Sequence, residues 1–216
     1  MARRFGSFGI VDLVYIDFMQ TCFKKQGQRD NIKIMPIPMR ELFTDCLWKN
    51  FAAAIDMLKS VIVLCPVELW KNDKKFYYLT YHTVLFLDYY LTNPVSNFHP
   101  ILPYTITDPA ELPPDAVDDV IPDQFYNKDE FLIYLSTIRE KCKKLITETP
   151  AEKLQSRWIE EAEIETHGLC PTLVVNYSVL EILLYNLRHV QHHTAQLNLI
   201  LRQKANVAAQ WISHAN

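Results

Sequence analysis

Glycine is scarce in this chain of 216 residues: there are 4, and none belongs to a phosphate-cradling loop, a dinucleotide fingerprint or a G-x-S-x-G elbow. The common nucleotide-binding and serine-hydrolase readings therefore lack their motifs. Charge of one sign is lacking as well. Lysine and arginine number 22 against 25 aspartates and glutamates, a formal net charge of -3, so no basic field draws in nucleic-acid phosphates or anionic lipid. The 5 cysteines, Cys22, Cys46, Cys65, Cys142 and Cys170, are scattered, odd in number and free of C-x-x-C spacing. That pattern argues against a disulfide framework and a zinc ribbon, and it fits a reducing, cytoplasmic setting. Cys46 and Cys65 read as small apolar core residues. No stretch reaches the roughly 18 uncharged apolar residues of a membrane span. The apolar run at 8–19, which superficially resembles a secretory signal, is broken by Asp12 and Asp17. The expectation is a soluble chain with neither a nucleic-acid nor a membrane partner.

What is present is helical patterning punctuated by 12 prolines, in a chain of one-domain length. Residues 1–38 share little of that patterning and read as an N-terminal extension. They suit a short helix laid on the body, an arm, or a stretch upstream of the native start. From Met39 to about Leu64, Phe43, Leu47, Phe51, Ala54, Leu58 and Val61 recur at spacings of four and three, between Pro38 and Pro66. A second helix runs from Lys74 to about Thr92, ahead of Asn93-Pro94. The proline- and acid-rich stretch from Pro94 to Phe125 is too interrupted for helix, and it is expected to cover one end of the bundle. Asn127 and Asp129 start a third helix, with Phe131, Leu135, Ile138, Cys142 and Leu145 along it to Thr147. A capping box at Thr149-Pro150-Ala151-Glu152 predicts a short helix to about Glu163, and Ser178-Val179-Leu180-Glu181 predicts the start of the last long one, ending near Lys204. Residues 206–216 form a C-terminal tail. The pattern is all-α, an antiparallel four-helix bundle over residues 39–205 with a long Pro-rich loop between helices two and three.

The last helix carries three imidazoles within five residues, His189, His192 and His193. Residues four apart on a helix stack one turn apart, about 5.4 Å along the axis, so His189 and His193 can address one divalent cation. The three-residue pair His189 and His192 remains an alternative. A helix supplies two ligands, and an open transition-metal site wants a third. His82, inside the apolar second helix, is the candidate; alone it would read as a satisfied core histidine. Three neutral imidazoles suit zinc, nickel or iron, with zinc or nickel foremost. Tyr185 lies four residues before His189, Gln196 three after His193 and Tyr78 four before His82. Tyr185 and Gln196 are thus candidates to orient a bound water or substrate, against the plainer reading of packing aromatics and a polar cap. Glu160, Glu161, Glu163 and Glu165 read as a solvated face, and His99, His167 and His214 as exposed structural residues.

With that helix pattern and those histidines, the chain resembles the DinB superfamily of DinB/YfiT-like metalloenzymes over about residues 39–205. Two motifs carry the resemblance. One is a histidine opening an aromatic run, His82-Thr83-Val84-Leu85-Phe86-Leu87-Asp88-Tyr89-Tyr90-Leu91; the other is an H-x-x-H-H-x-x-Q signature, His189-Val190-Gln191-His192-His193-Thr194-Ala195-Gln196. The resemblance implies that His82, His189 and His193 are the ligands and His192 is not. Many members have Arg-Gly where this chain has Thr194-Ala195, which bears on substrate contacts rather than on ligands. Residues 1–38 have no counterpart in the family core. What the resemblance implies for function is a divalent-metal-dependent enzyme acting on a small molecule, as a transferase of a low-molecular-weight thiol or as a hydrolase. The alternative is a non-catalytic metal-binding bundle that works through a partner or as a homodimer. Fold kinship alone does not choose between these.

Overall fold

Proline, capping side chains and apolar spacing fix where each helix begins and ends. The computed structural model describes residues 39–215; the expected N-terminal extension, with Cys22 and the apolar run before it, lies outside the described residues. Helix α1 spans Met39–Leu64, α2 Val67–Asn72, α3 Lys74–Tyr90, α4 Lys128–Glu148, α5 Ala151–Gln155 and α6 Val179–Ala205. Strands β1 (Tyr104–Ile106) and β2 (Val120–Pro122) form a two-stranded antiparallel sheet between α3 and α4. The described chain is mostly helical and of all-α class. None of its helices is long and apolar enough to cross a membrane.

Along α1 the expected stripe is buried at Leu47, Phe51, Ala54, Leu58 and Val61, while Phe43, one turn from the start, remains 41% exposed. Cys65 is buried, and burial pushes its thiol up to about 12. Cys46, expected in the core, is exposed instead. It precedes Leu47 by one residue, so it is turned about 100° away from the buried stripe. Pro66 ends α1 and opens the short α2, which buries Trp70. Asp73 then caps α3, accepting from the Phe76 N–H at 2.9 Å. Reciprocal capping boxes start α4 at Asn127 and Glu130 and α6 at Ser178 and Glu181. The box expected at 149–152 does not form. Pro150 occupies the N-cap with no side-chain cap bond, and the helix stops at Gln155 rather than near Glu163. The chain turns extended at Ser156 and Arg157 bridges to Ser178, which lets Trp158 bury its ring with its Nε1–H on the Thr92 carbonyl at 3.1 Å. Burial of so large an apolar ring outweighs a few more residues of an isolated helix.

The long helices pack in the pairs α1–α4, α4–α3, α3–α6 and α6–α1. Contacts near their ends give the directions. Lys128 at the start of α4 reaches the Val63 and Cys65 carbonyls at the end of α1, whereas Arg40 reaches the Thr149 carbonyl, so α1 and α4 run in opposite senses. Lys204 meets Asp73 and Asn186 meets Leu87, so α3 and α6 are opposed too. By contrast, Phe131 packs on Tyr77 and Tyr81 while Lys141 bonds Asp88 and Thr92, so α3 and α4 run the same way. A same-sense pair needs a long return connection, and residues 91–127 supply it.

That connection does more than cover an end. It lies along the flank of α3: the Tyr81 hydroxyl is shared between the Leu102 and Pro103 carbonyls at 2.9 and 2.7 Å, and the Tyr126 N–H donates to the Tyr77 hydroxyl at 2.9 Å. The register of its hairpin is Tyr104 opposite Pro122, Thr105 opposite Ile121 and Ile106 opposite Val120. The strap between the strands is drawn closed by a Thr107 N–H to Asp119 carbonyl bond of 2.8 Å.

Candidate metal centre

Two ties hold α3 against α6 on either side of the histidines. Towards one end the Lys204 ammonium donates to Asp73 at 2.5 Å, and towards the other the buried Asn186 amide donates to the Leu87 carbonyl at 3.0 Å. Between them His82 of α3 faces His189 and His193 of α6. One ring nitrogen from each of the three lies within 4.8 Å of the other two, and the Nε2 atoms of His82 and His189 are 3.0 Å apart. His189 and His193, four residues apart, thus lie on one face of α6 towards His82. His192 points outward, exposed, its ring 5.0 Å from that of His193 and outside the trio.

The three rings differ at the far nitrogen, Nδ1. His82 Nδ1 is 2.7 Å from Asp118 Oδ2, in the strap between β1 and β2. His193 Nδ1 is 2.7 Å from Gln196 Oε1. His189 Nδ1 is buried and has no hydrogen-bond partner among the described residues. Asp118 Oδ2 and Gln196 Oε1 are acceptors at the Nδ1 atoms of His82 and His193, an arrangement that favours the Nδ1–H tautomer and turns Nε2 towards the trio. Burial, reinforced by the neighbouring imidazoles, pushes the His189 pKa down to about 2. Burial likewise lowers His193 to about 4, the Gln196 contact opposing and the other imidazoles adding. At neutral pH both rings are uncharged, the state in which imidazole binds a metal.

Of the other expected site residues, Tyr185 is half-buried and lies nearly parallel to the His189 ring, 6.3 Å between centroids at 15°, with Tyr90 edge-on to both. It is a wall beside the trio. Gln196 is exposed and engages His193 through its amide oxygen. Tyr78 packs edge-on against Tyr77 at 5.8 Å. Among the acidic run, Glu163 accepts the Ser96 N–H at 2.8 Å and the Glu160 N–H at 3.1 Å, a structural use. His99 and His214 are exposed, as expected. His167 is half-buried instead, with Nε2 on the Val95 carbonyl at 3.0 Å and its ring against Phe98.

Sequence reasoning missed Asp118, which has no local signature inside an acidic loop, and Phe86, whose ring sits 4.7 Å from His82. Phe86 lies four residues after His82, so helical spacing could have found it. A pocket of about 580 Å³ opens beside His193, lined among others by Lys75, Leu79, Val117, Gln196 and Ile200. In comparisons with known proteins, no family model matches this chain, and neither a curated protein nor a solved structure does.

Proposed function

We propose that His82, His189 and His193 bind one divalent transition-metal ion, zinc or nickel before iron, and that the chain is a metal-dependent enzyme of the DinB superfamily. The observation that carries this is the 3.0 Å approach of two imidazole Nε2 atoms from different helices. Two imidazoles on a common ion at metal–nitrogen distances of about 2.1 Å have their nitrogens roughly 3.0 to 3.4 Å apart. A plain hydrogen bond between the rings has the same length, but it would leave the buried His189 Nδ1 as an unpaired acceptor. A cation between the rings would instead leave that nitrogen to carry the proton as a donor.

The fold proposed with this reading is the superfamily's four-helix bundle. Its antiparallel pairs are α1 with α4 and α3 with α6, supported by the end-to-end contacts above. Bound at three imidazoles, an ion of this kind supplies Lewis acidity that lowers the pKa of a water or thiol towards neutrality. The pocket at His193 offers the place for a small-molecule substrate, a low-molecular-weight thiol with its acceptor or a hydrolysable electrophile. Leu79, Val117 and Ile200 supply an apolar portion of its lining, and Lys75 offers a cation. These reactions belong to a cytoplasmic enzyme.

A second reading, a metal-binding bundle that works by association with a partner or a second copy, draws on a different face. There Trp211 and Leu199, 74% and 53% exposed, flank a groove with Met57 and Ala54. The deciding experiment measures metal content after chelation and reloading in the parent, His82→Ala and His193→Ala proteins. The expected result is one equivalent in the parent and marked loss in both variants; full retention by both ends the three-histidine reading. A screen of small thiols against electrophiles, metal-loaded versus chelated, then separates the two readings. Metal binding without turnover supports the second.

A further inference from the structure

We infer that Asp118 is a positioning residue for the trio: its carboxylate fixes the ring of His82 so that Nε2 is held, with its lone pair free, towards His189 and His193. The inference rests on the metal reading proposed above and adds to it a residue from outside both helices.

The geometry of the carboxylate is determined on both oxygens. Oδ2 lies 2.7 Å from His82 Nδ1, and Oδ1 accepts the Val120 N–H at 3.1 Å where β2 begins. The side chains are largely sheltered, 14% exposed for His82 and 28% for Asp118. The strap that carries Asp118 is itself closed by the Thr107 to Asp119 backbone bond. A rigid acceptor on one ring nitrogen sets the tautomer and the ring plane, and an anionic acceptor makes the opposite nitrogen a stronger donor. The three rings differ in this respect. His193 has a neutral amide oxygen from an exposed side chain, and His189 has no partner at Nδ1 among the described residues. Among the described residues, a carboxylate reaches the trio by direct hydrogen bond through His82 alone, and its charge would partly neutralise a dication held by three uncharged ligands.

The same strap also faces the pocket. Asp115, Ala116 and Val117, immediately before Asp118, line the cavity beside His193. The long return between α3 and α4 therefore both steadies a ligand and shapes the approach to it.

The test compares Zn²⁺ affinity, by competition with a chromophoric chelator, and the visible spectrum of the Co²⁺-loaded protein, for the parent, Asp118→Asn, Asp118→Ser and His82→Ala full-length chains. Aspartate uses a separate oxygen for each contact, and asparagine puts an NH2 donor in place of one of them, so it cannot keep both bonds in place. The expected result is a roughly ten- to hundred-fold weaker Zn²⁺ affinity in Asp118→Asn with the stoichiometry kept. An altered Co²⁺ spectrum and far-UV circular dichroism like the parent's should accompany it. Asp118→Ser carries the same expectation should the asparagine variant fail to fold. A merely structural role for Asp118 moves thermal stability and leaves the Co²⁺ spectrum unchanged. Zn²⁺ affinity within about twofold of the parent in the Asp118 variants, with binding lost in His82→Ala, overturns this inference and leaves the metal reading standing. Unchanged binding in His82→Ala overturns both.

Discussion

The Nε2 atoms of His82 and His189 meet at 3.0 Å although 107 residues of chain separate them. Bringing two neutral imidazoles together edge to edge is worth little by itself. The contact becomes strongly favourable only when a cation is shared, and this gives the first expectation. A ligand that binds the folded state alone stabilises it by about 2.7 kcal/mol when present at one hundred times its dissociation constant. For a domain of this size that corresponds to a rise of roughly 5 to 10 °C in melting temperature. Zn²⁺ or Ni²⁺ added to chelator-stripped protein should produce such a rise, reversed by chelator and absent in His189→Ala. Differential scanning fluorimetry reads it directly.

Asp73 joins two elements, capping α3 through the Phe76 N–H and accepting from Lys204 of α6. Burial alone pushes its pKa up, but the bonds from Lys204 and Phe76 and the charge of Lys75 outweigh it, so the net shift is downward. A carboxyl whose folded pKa is depressed stabilises the fold above its unfolded value, about 3.9, and that contribution disappears as pH falls through the folded value. Asp73→Asn keeps a capping oxygen and loses the charge. Its stability deficit should therefore be present at pH 6 and vanish towards pH 2, while Asp73→Ala should cost about 1 kcal/mol more through the lost cap. Urea titrations across that range measure both. A deficit in Asp73→Asn that does not change with pH would refute the linkage.

Asp88, 6% exposed, is held by the Tyr134 hydroxyl at 2.6 Å and by Lys141 at 2.6 Å. Removing the cation strands a buried carboxylate. Lys141→Met is expected to cost about 2 to 4 kcal/mol, at the lower end because Lys141 is one-third exposed. The double variant Asp88→Asn/Lys141→Met should recover part of that loss. Equal losses in single and double variants would show that the pair is not coupled.

Phe131 is fully buried and meets Trp70, Tyr77 and Tyr81 edge to face. It is the point where α2, α3 and α4 share a core. Phe131→Ala should cost about 3 to 5 kcal/mol. Because the His82 ring faces Phe86 and the α6 histidines rather than Phe131, metal stoichiometry at a temperature where the variant is folded should be unchanged, as measured by atomic emission.

The long helices were legible because each is announced locally. Leu47, Phe51, Leu58 and Val61 mark a helical stripe, Asn127 and Ser178 mark starts, and Pro66 marks a stop. His189 and His193 were legible for the same reason, being one turn apart on one helix. The short hairpin was not legible, since three-residue strands broken by prolines carry no period that can be read. The helix expected to reach Glu163 stops at Gln155 because Trp158 is buried by residues 66 to 69 positions distant in sequence, a tertiary demand that local patterning does not encode. Asp118 is the clearest case. Its neighbours in sequence are acidic and proline-rich like many solvated loops, and only the hairpin brings its carboxylate to His82.

The same-sense packing of α3 and α4, with the extended return it requires, has a temporal side. During synthesis His82 emerges first, the strap bearing Asp118 follows, and both remaining imidazoles arrive on the final helix. Until that segment leaves the ribosome and docks, a lone ring on α3 has no second donor to share an ion with. On the three-histidine reading, capture of a cation at this place would be a late event in the life of the polypeptide, coupled to closure of distant contacts rather than to early helix formation.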